Sequence, residues 1–262
     1  MRLTLSIGQL HIGFGDPEAN FEQIRNWSLE AARLGSALVL FPELCLSGYD
    51  LDHCAQHAST LGEGAFAQLS ALARECKIAL GGSVLELWNG KFYNAFPLYN
   101  CEGKCRAIYR KTHLFKPMIE HRFLTAGDAF TLAPMPWGLT GMAICFDLRF
   151  PEMIRRYALQ GAQLALLPAE WPVQRIDHWQ TLLRGRAIEN QMFVAGCNCV
   201  GKTGDETFGG HSMIVDPWGR TVVEGKDDAA LLTAEIDLDL VANVRRDFPV
   251  LEDRRSDLYS IL

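Results

Sequence analysis

Three residues with reactive side chains follow apolar runs that are typical of buried strands. Glu43 comes after Ala-Leu-Val-Leu-Phe-Pro, Glu170 after Leu-Leu-Pro-Ala, and Cys145 ends Met-Ala-Ile-Cys. The carboxyl ends of strands are where α/β folds keep their functional sites. Because Cys145 passes directly into Phe-Asp-Leu-Arg-Phe-Pro and a helix predicted to begin near Glu152, we expect a tight strand-to-helix elbow. Such an elbow exposes the sulfur and aims backbone N–H groups beside it, as catalysis by a nucleophilic thiol requires.

The base that activates such a thiol is not evident from the spacing. Histidine is the usual partner, but none of the seven histidines can be paired with Cys145 from its place in the sequence. Lys111 also lies at the end of a predicted strand, although an isolated lysine at such a position is more often simply solvated. A buried structural cysteine is the alternative for Cys145, and it is the better interpretation of the other seven cysteines.

The composition is that of an ordinary globular protein. The 262 residues are 48% hydrophobic and 21% charged, and 25 basic against 31 acidic side chains give a net charge of −6. Without clusters of Lys and Arg we expect neither a nucleic-acid nor a membrane partner, and instead a small substrate. The sequence contains neither a long apolar run nor a signal-peptide core, which favours a cytoplasmic protein with reduced cysteines. No cysteine pair has zinc-site spacing, so no metal is predicted.

The elements around Glu43 are predicted to follow the order helix, strand, helix, strand, hairpin. Asp16-Pro17 marks the start of a helix that ends at Gly35, and the apolar run before Glu43 is typical of a strand buried on both faces. A second helix is predicted over 65–76, a strand over 78–84, and a hairpin over 92–100 and 104–109. Lys111 follows the last strand of that hairpin.

The same order returns in the second half of the chain. Residues 34–42 align with 160–168 at an offset of 126, and a helix over 179–190, a strand over 192–199 and a hairpin turned by Asp-Pro-Trp-Gly follow. A chance match of short strands is the alternative, but the flanking elements agree as well. Two similar halves with helices on one side of a sheet bury the remaining faces by stacking. This predicts an α/β protein, a four-layer α-β-β-α sandwich, as one domain over residues 1–262.

Three motifs together resemble the signatures of the carbon-nitrogen hydrolase (nitrilase) superfamily. They are Phe-Pro-Glu43, Tyr-Arg-Lys111-Thr-His-Leu and Cys145-Phe-Asp-Leu-Arg-Phe-Pro-Glu, in this order. The resemblance covers essentially the whole chain and implies the same sandwich fold. It implies Glu43 as general base, Lys111 as oxyanion-stabilising lysine and Cys145 as nucleophile of a thioester mechanism without a cofactor. Glu120 matches the second active-site glutamate, which positions substrate and lysine, and the backbone N–H of Phe146 is the second expected oxyanion donor.

Within the superfamily the chain most resembles the omega-amidases, which hydrolyse the terminal amide of 2-oxoglutaramate and 2-oxosuccinamate. The resemblance is carried by Ser-Gly-Tyr49, Cys-Phe-Asp-Leu-Arg149-Phe-Pro, Glu170-Trp-Pro and the run from 178 to 198. It implies a small anionic amide as the substrate.

A 2-oxo acid needs a cation at the far end of the pocket, because a buried carboxylate without a partner is costly. Arg149, four residues past the nucleophile, is the best candidate. Its structural alternative is an ion pair with Asp147 or Glu152. Tyr49 and Trp171 are expected pocket walls, with simple packing as the alternative.

Other substrates and functions stay open on the sequence alone. Relatives with similar motifs hydrolyse deaminated glutathione or N-carbamoyl compounds. An inactive scaffold is a further alternative, against which the intact Glu43, Lys111 and Cys145 argue, and a metal-dependent hydrolase is another. The resemblance also implies a homodimer that pairs through the helices following Glu152 and Trp179.

Overall fold

A computed structural model describes residues 1–203 and 206–259. Its helices are α1 (Pro17–Arg33), α2 (Cys54–His57), α3 (Gly64–Cys76), α4 (Glu120–Phe123), α5 (Pro151–Leu159), α6 (Ile176–Asn190) and α7 (Asp239–Asp247). Its strands are β1 (Arg2–Gln9), β2 (Leu38–Leu40), β3 (Ala79–Gly81), β4 (Val84–Trp88), β5 (Lys91–Tyr99), β6 (Cys105–Arg110), β7 (Thr131–Met135), β8 (Gly138–Met142), β9 (Leu164–Ala169), β10 (Phe193–Asn198), β11 (Val200–Thr203), β12 (Glu206–Gly209), β13 (Met213–Val215), β14 (Thr221–Glu224) and β15 (Ala230–Asp237). No helix in these two ranges is long and apolar enough to cross a membrane.

The strands form two mixed sheets with parallel centres. In the first sheet the order is β15-β1-β2-β3-β5-β4, with β6 on the other side of β5, and β1, β2 and β3 run parallel. In the second sheet the order is β14-β13-β10-β9-β8-β7, and β8, β9 and β10 run parallel. Since β2 and β9 are both central, the strands matched by the repeat hold corresponding places in the two sheets.

The two sheets face each other through one apolar layer. Side chains of β1, β2 and β5, including Leu5, pack in one cluster with side chains of β8, β9 and β10, including Leu166. On the outer face of the first sheet α1 and α3 cover Val39 and Leu80, while α5 and α6 cover the second sheet through side chains such as Tyr157. The predicted four-layer α-β-β-α sandwich is therefore confirmed.

The first predicted helix, α1, shows how the residues at its two ends determine where it begins and stops. The Asp16 side chain accepts a hydrogen bond from the Ala19 N–H at 3.1 Å, and Pro17 occupies the first helical turn. After the helix, Gly35 takes a φ of 77°, a conformation that glycine adopts without strain. This turn returns the chain into β2, whose carboxyl end carries Glu43.

One sequence expectation needs correction. The strand predicted over 78–84 is two strands, β3 and β4, because the strand is interrupted at Gly82-Ser83, where the Ser83 hydroxyl accepts the Leu44 N–H at 2.8 Å. The helix expected near Glu152 begins at Pro151, as predicted. The last strand, β15, was not predicted, and it pairs antiparallel with β1 at the edge of the first sheet.

Candidate active site

The loop after β8 forms the expected elbow at Cys145. This residue begins a 3-10 helix, Cys145–Arg149, with a φ of 45°, which is strained for a residue with a side chain and costs about 1–3 kcal/mol. The buried Asp147 carboxylate holds the elbow, since it accepts the Ile144 N–H at 2.8 Å and the Tyr109 hydroxyl at 2.7 Å. The first N–H groups of a helix have no partner inside it, so that of Phe146 is available beside the sulfur.

Glu43 is a buried carboxylate surrounded by donors. Its Oε1 accepts hydrogen bonds from Lys111 Nζ at 2.7 Å and Asn94 Nδ2 at 2.8 Å, and its Oε2 accepts the Glu170 N–H at 3.0 Å. Lys111 follows β6 and its N–H bonds to the Asn94 carbonyl of β5, so adjacent strands fix both donors. These donors fix the orientation of the Glu43 carboxylate, the group that can take a proton from a neighbouring thiol.

Glu120, the first residue of α4, lies on the other side of Lys111. Its Oε1 is 2.6 Å from Lys111 Nζ and accepts the Tyr49 hydroxyl at 2.6 Å, while its Oε2 accepts the Phe115 N–H at 2.6 Å. The ammonium group thus bridges two buried carboxylates. Tyr49 helps to orient Glu120, and it does not line the cavity beside Cys145 described below.

The charges in this cluster set the protonation states. Burial alone would lower the pKa of Lys111, but the carboxylates of Glu120 and Glu43 outweigh it and place that pKa well above its ordinary value. Burial raises the pKa of Glu120, against the opposing effect of Lys111. Burial, reinforced by Glu43, raises the pKa of the Cys145 thiol well above its ordinary value. At neutral pH the lysine is therefore charged, and the cysteine is a thiol that loses its proton only as it reacts.

A narrow cavity reaches Cys145 from the surface. Its walls come from the elbow, the loop after β9 and the segment after Lys111; they are formed by Phe115, Cys145, Phe146, Arg149, Glu170, Trp171, Pro172 and Arg175. The predicted wall residue Trp171 is buried, and its ring lies 4.7 Å from the Arg149 guanidinium carbon. The cavity therefore joins a thiol at its inner end to cationic side chains along its wall.

Arg149 and Arg175 are the two cations of this cavity. Burial and then the nearby Arg175 lower the pKa of Arg149. Neither guanidinium has a carboxylate within 4.0 Å among the residues that the structure describes, so the ion pair of Arg149 with Asp147 or Glu152 considered as an alternative is not formed. Arg149 instead contacts His178 Nδ1 at 3.3 Å.

The structure brings together the four residues expected to carry the chemistry, namely Glu43, Lys111, Glu120 and Cys145. Three further groups at this site were missed by sequence reasoning: Asn94, Asp147 and Arg175. The motif Cys-Phe-Asp was a signal for Asp147, and the stretch after Trp171 was a signal for Arg175. Among the described ranges, no three His, Cys, Asp or Glu side chains are arranged to hold a metal ion.

Fold and site define an enzyme of the amide-hydrolysing class, and a solved amidase structure shares the fold. The amidase from Nesterenkonia sp. AN1, as a glutamate-to-glutamine mutant, has a TM-score of 0.87 and 28% identity, covering 98% of each chain. That structure shows Michael addition of acrylamide at its active-site cysteine.

Comparison of sequences names the family. The carbon-nitrogen hydrolase model matches residues 4–246, and the chain belongs to this family. A 2-oxoglutaramate amidase of Bacillus subtilis (strain 168) is 40% identical over 260 residues, 99% of this chain and 100% of that protein. An omega-amidase of Homo sapiens is 34% identical over 242 residues, 88% of each protein. The predicted superfamily membership is confirmed.

Proposed function

We propose that this enzyme hydrolyses the terminal amide of small 2-oxo dicarboxylic acid monoamides, such as 2-oxoglutaramate and 2-oxosuccinamate, to the acid and ammonia. The observation that carries the proposal is one cavity with a thiol at one end and two arginines without a carboxylate partner in the described ranges. The names of the relatives from Bacillus subtilis and Homo sapiens support the same substrate class.

Acylation begins at the Cys145 thiol. As the sulfur attacks the amide carbon, Glu43 accepts the thiol proton, and the oxyanion that forms is held by Lys111 and the backbone N–H of Phe146. The C–N bond then breaks, Glu43 returns the proton to the nitrogen, and ammonia leaves. The acyl group remains on the sulfur as a thioester.

Deacylation uses the same groups in reverse. Water attacks the thioester carbon, Glu43 accepts its proton, and the same two donors hold the oxyanion. The C–S bond breaks and the proton passes to the sulfur, which restores the thiol. The donors that surround Glu43 hold its carboxylate in the same orientation for both steps.

The acid end of the substrate binds at the arginines. A 2-oxo acid carries a carboxylate at the end opposite its amide, and guanidinium groups bind carboxylates through charge-assisted hydrogen bonds. Arg149 is held in place by Trp171, and Arg175 lies 5.6 Å from the centre of the Phe115 ring. Both aromatic contacts orient the cations without neutralising their charge.

The variant Arg149→Ala tests this assignment. We expect kcat/KM for 2-oxoglutaramate to fall about 10- to 100-fold, since one partner of a charge pair is removed while Arg175 stays. The neutral amide butyramide, which lacks the carboxylate, should lose far less. Ammonia release is measured for both amides, with an N-carbamoyl amino acid and deaminated glutathione as competing substrates. Equal losses for both amides, or wild-type preference for a competing substrate, would contradict the proposed function.

We also propose that the chain forms a homodimer through α5 and α6. Leu159 at the end of α5 and Ile188 on α6 are 40% and 53% exposed, and Ile188 lies beside Gly219, next to the exposed Trp218. Exposed apolar side chains such as these favour an interface between subunits. Light scattering at micromolar concentration should give twice the mass of the chain, and a monomer would refute this.

A further inference from the structure

Glu170 is a buried carboxyl group without a partner. It follows β9 and is 1% exposed, and neither of its side-chain oxygens has a hydrogen-bond donor in the part of the chain that the structure describes. Burying a polar group without a hydrogen bond costs free energy, so such groups are uncommon unless they serve a ligand. Packing alone does not explain a glutamate at this position.

The backbone of Glu170 places it between the base and the nucleophile. Its N–H donates to Glu43 Oε2 at 3.0 Å, and its carbonyl oxygen lies 3.9 Å from Cys145 Sγ. Glu170 lines the cavity beside Cys145 and also a neighbouring cavity that Tyr49 lines. The backbone of Glu170 therefore adjoins the reacting groups, and its carboxyl group lies close enough to Glu43 and Lys111 to be affected by their charges.

Glu170 is the member of this acidic cluster that has no ion pair with Lys111 among the described residues. Burial, reinforced by the carboxylates of Glu43 and Glu120, raises its pKa well above the ordinary value, while Lys111 opposes the rise. Lys111 makes its direct ion pairs with the other two glutamates, at 2.7 and 2.6 Å. A neutral carboxylic acid offers one O–H donor and one carbonyl acceptor, whereas an ionised carboxylate only accepts.

In the proposed reaction the amide nitrogen of the substrate still needs hydrogen-bond partners, which a neutral carboxylic acid can supply. The carbonyl oxygen of the substrate amide is bound by Lys111 and the Phe146 N–H, and the substrate carboxylate is bound by the arginines. The two N–H groups of the amide nitrogen lose their water on entry and need acceptors. Glu43 Oε2 has one donor already and must also handle the proton, so a second acceptor is needed beside it.

We propose that Glu170 forms the binding site for the leaving nitrogen and for the water that replaces it. The C=O oxygen of its side-chain carboxylic acid accepts an N–H of the substrate amide. After ammonia has left, the O–H of the same side chain donates to the incoming water. Glu170 neither gains nor loses a proton, because the protons of both steps pass through Glu43. The inference rests on the proposed function and adds a subsite on the side away from the substrate carboxylate.

Two variants at one position test the subsite. Glu170→Leu keeps a similar volume but removes donor and acceptor, and we expect kcat to fall about 10-fold or more, equally for 2-oxoglutaramate and butyramide, which share the reacting amide. Glu170→Gln restores one donor and one acceptor without charge and should recover most of that loss. Inhibition by 2-oxobutyrate, which has the 2-oxo acid end but no polar group at the position of the amide, should be unchanged in both variants.

Three results would overturn the inference. Wild-type kcat in Glu170→Leu would make the residue structural. Glu170→Gln as inactive as Glu170→Leu would mean that Glu170 acts in its ionised form. Weaker inhibition by 2-oxobutyrate, by the factor lost in kcat, would place Glu170 at the acid end. If the wild-type enzyme leaves 2-oxoglutaramate intact, the proposed function fails, and the butyramide comparison still decides the role of Glu170.

Discussion

Glu43 and Glu170 follow corresponding strands of the two halves of the molecule, yet their surroundings differ. Both lie just past the carboxyl end of a central parallel strand, β2 or β9, and both are buried. Glu43 accepts hydrogen bonds from Lys111, Asn94 and a backbone N–H, whereas the Glu170 carboxyl has no donor in the described ranges. The strand end sets where each acid lies, whereas the donors around its carboxyl group come from residues distant in sequence.

The largest expected effect comes from removing the base. Glu43→Gln should lower kcat about 1000-fold or more, because neither thiol activation nor thioester hydrolysis proceeds without a proton acceptor. The matched change Glu170→Gln should cause a much smaller loss. Ammonia release from 2-oxoglutaramate measures both, with circular dichroism to check folding. Similar losses in the two variants would mean that the two acids do not differ as proposed.

The variant Lys111→Met removes the cation beside Glu43, so the surroundings of Glu43 become more like those of Glu170. Without the ammonium group Glu43 Oε1 loses its hydrogen bond at 2.7 Å, and the oxyanion loses one donor. We expect kcat to fall about 100- to 1000-fold at neutral pH. A kcat within about 10-fold of the wild type would show that Lys111 is not needed for either role.

The smallest expected effect is on stability at Glu170. Burial raises the native pKa of this group, so between its unfolded value near 4.5 and the native value only the folded state keeps the proton, and rising pH destabilises the fold. Glu170→Leu removes this penalty. The Tm gain over the wild type should therefore grow between about pH 5 and pH 8, to roughly 2 °C or more.

The control for this measurement is another buried glutamate, one that does have a partner. Glu86 is 1% exposed and binds the Arg110 guanidinium at 2.6 and 2.8 Å. Glu86→Leu leaves that cation unpaired and should lower Tm. If Glu170→Leu also lowers Tm, the Glu170 carboxyl has a stabilising partner, as that of Glu86 does, and the proposed difference between Glu170 and Glu43 is wrong.

The sequence predicted where the functional residues lie better than it predicted which groups they contact. Apolar runs followed by Pro or Ala placed Glu43, Glu170 and Cys145 at strand ends, and the repeat predicted the stacked sheets. The role of Lys111 came only from the family motifs, because a lysine after a hairpin is usually solvated and only the fold brings it 2.7 Å from Glu43. Local patterns thus locate a site, and contacts distant in sequence set its chemistry.

The features that were missed depend on such distant contacts. β15 pairs with β1 across nearly the whole chain, and nothing in either segment specifies that edge. Asn94 and Arg175 reach the site through the direction of their side chains, which follows from strand register and loop packing rather than from composition. Tyr49, expected as a pocket wall, lines the cavity next to the one at Cys145 and also donates to Glu120, a contact that the sequence did not indicate.

The most direct test of the account is to trap the acyl-enzyme. The wild-type protein is mixed with 2-oxoglutaramate, quenched in acid within a single turnover and digested, and the peptide that contains Cys145 is weighed by mass spectrometry. We predict that this peptide gains the 2-oxoglutaryl group and loses it as the acid product appears, while Cys145→Ala gains no such group and releases no ammonia. Ammonia release by Cys145→Ala at a rate near that of the wild type, with no acylated peptide in either protein, would contradict the account.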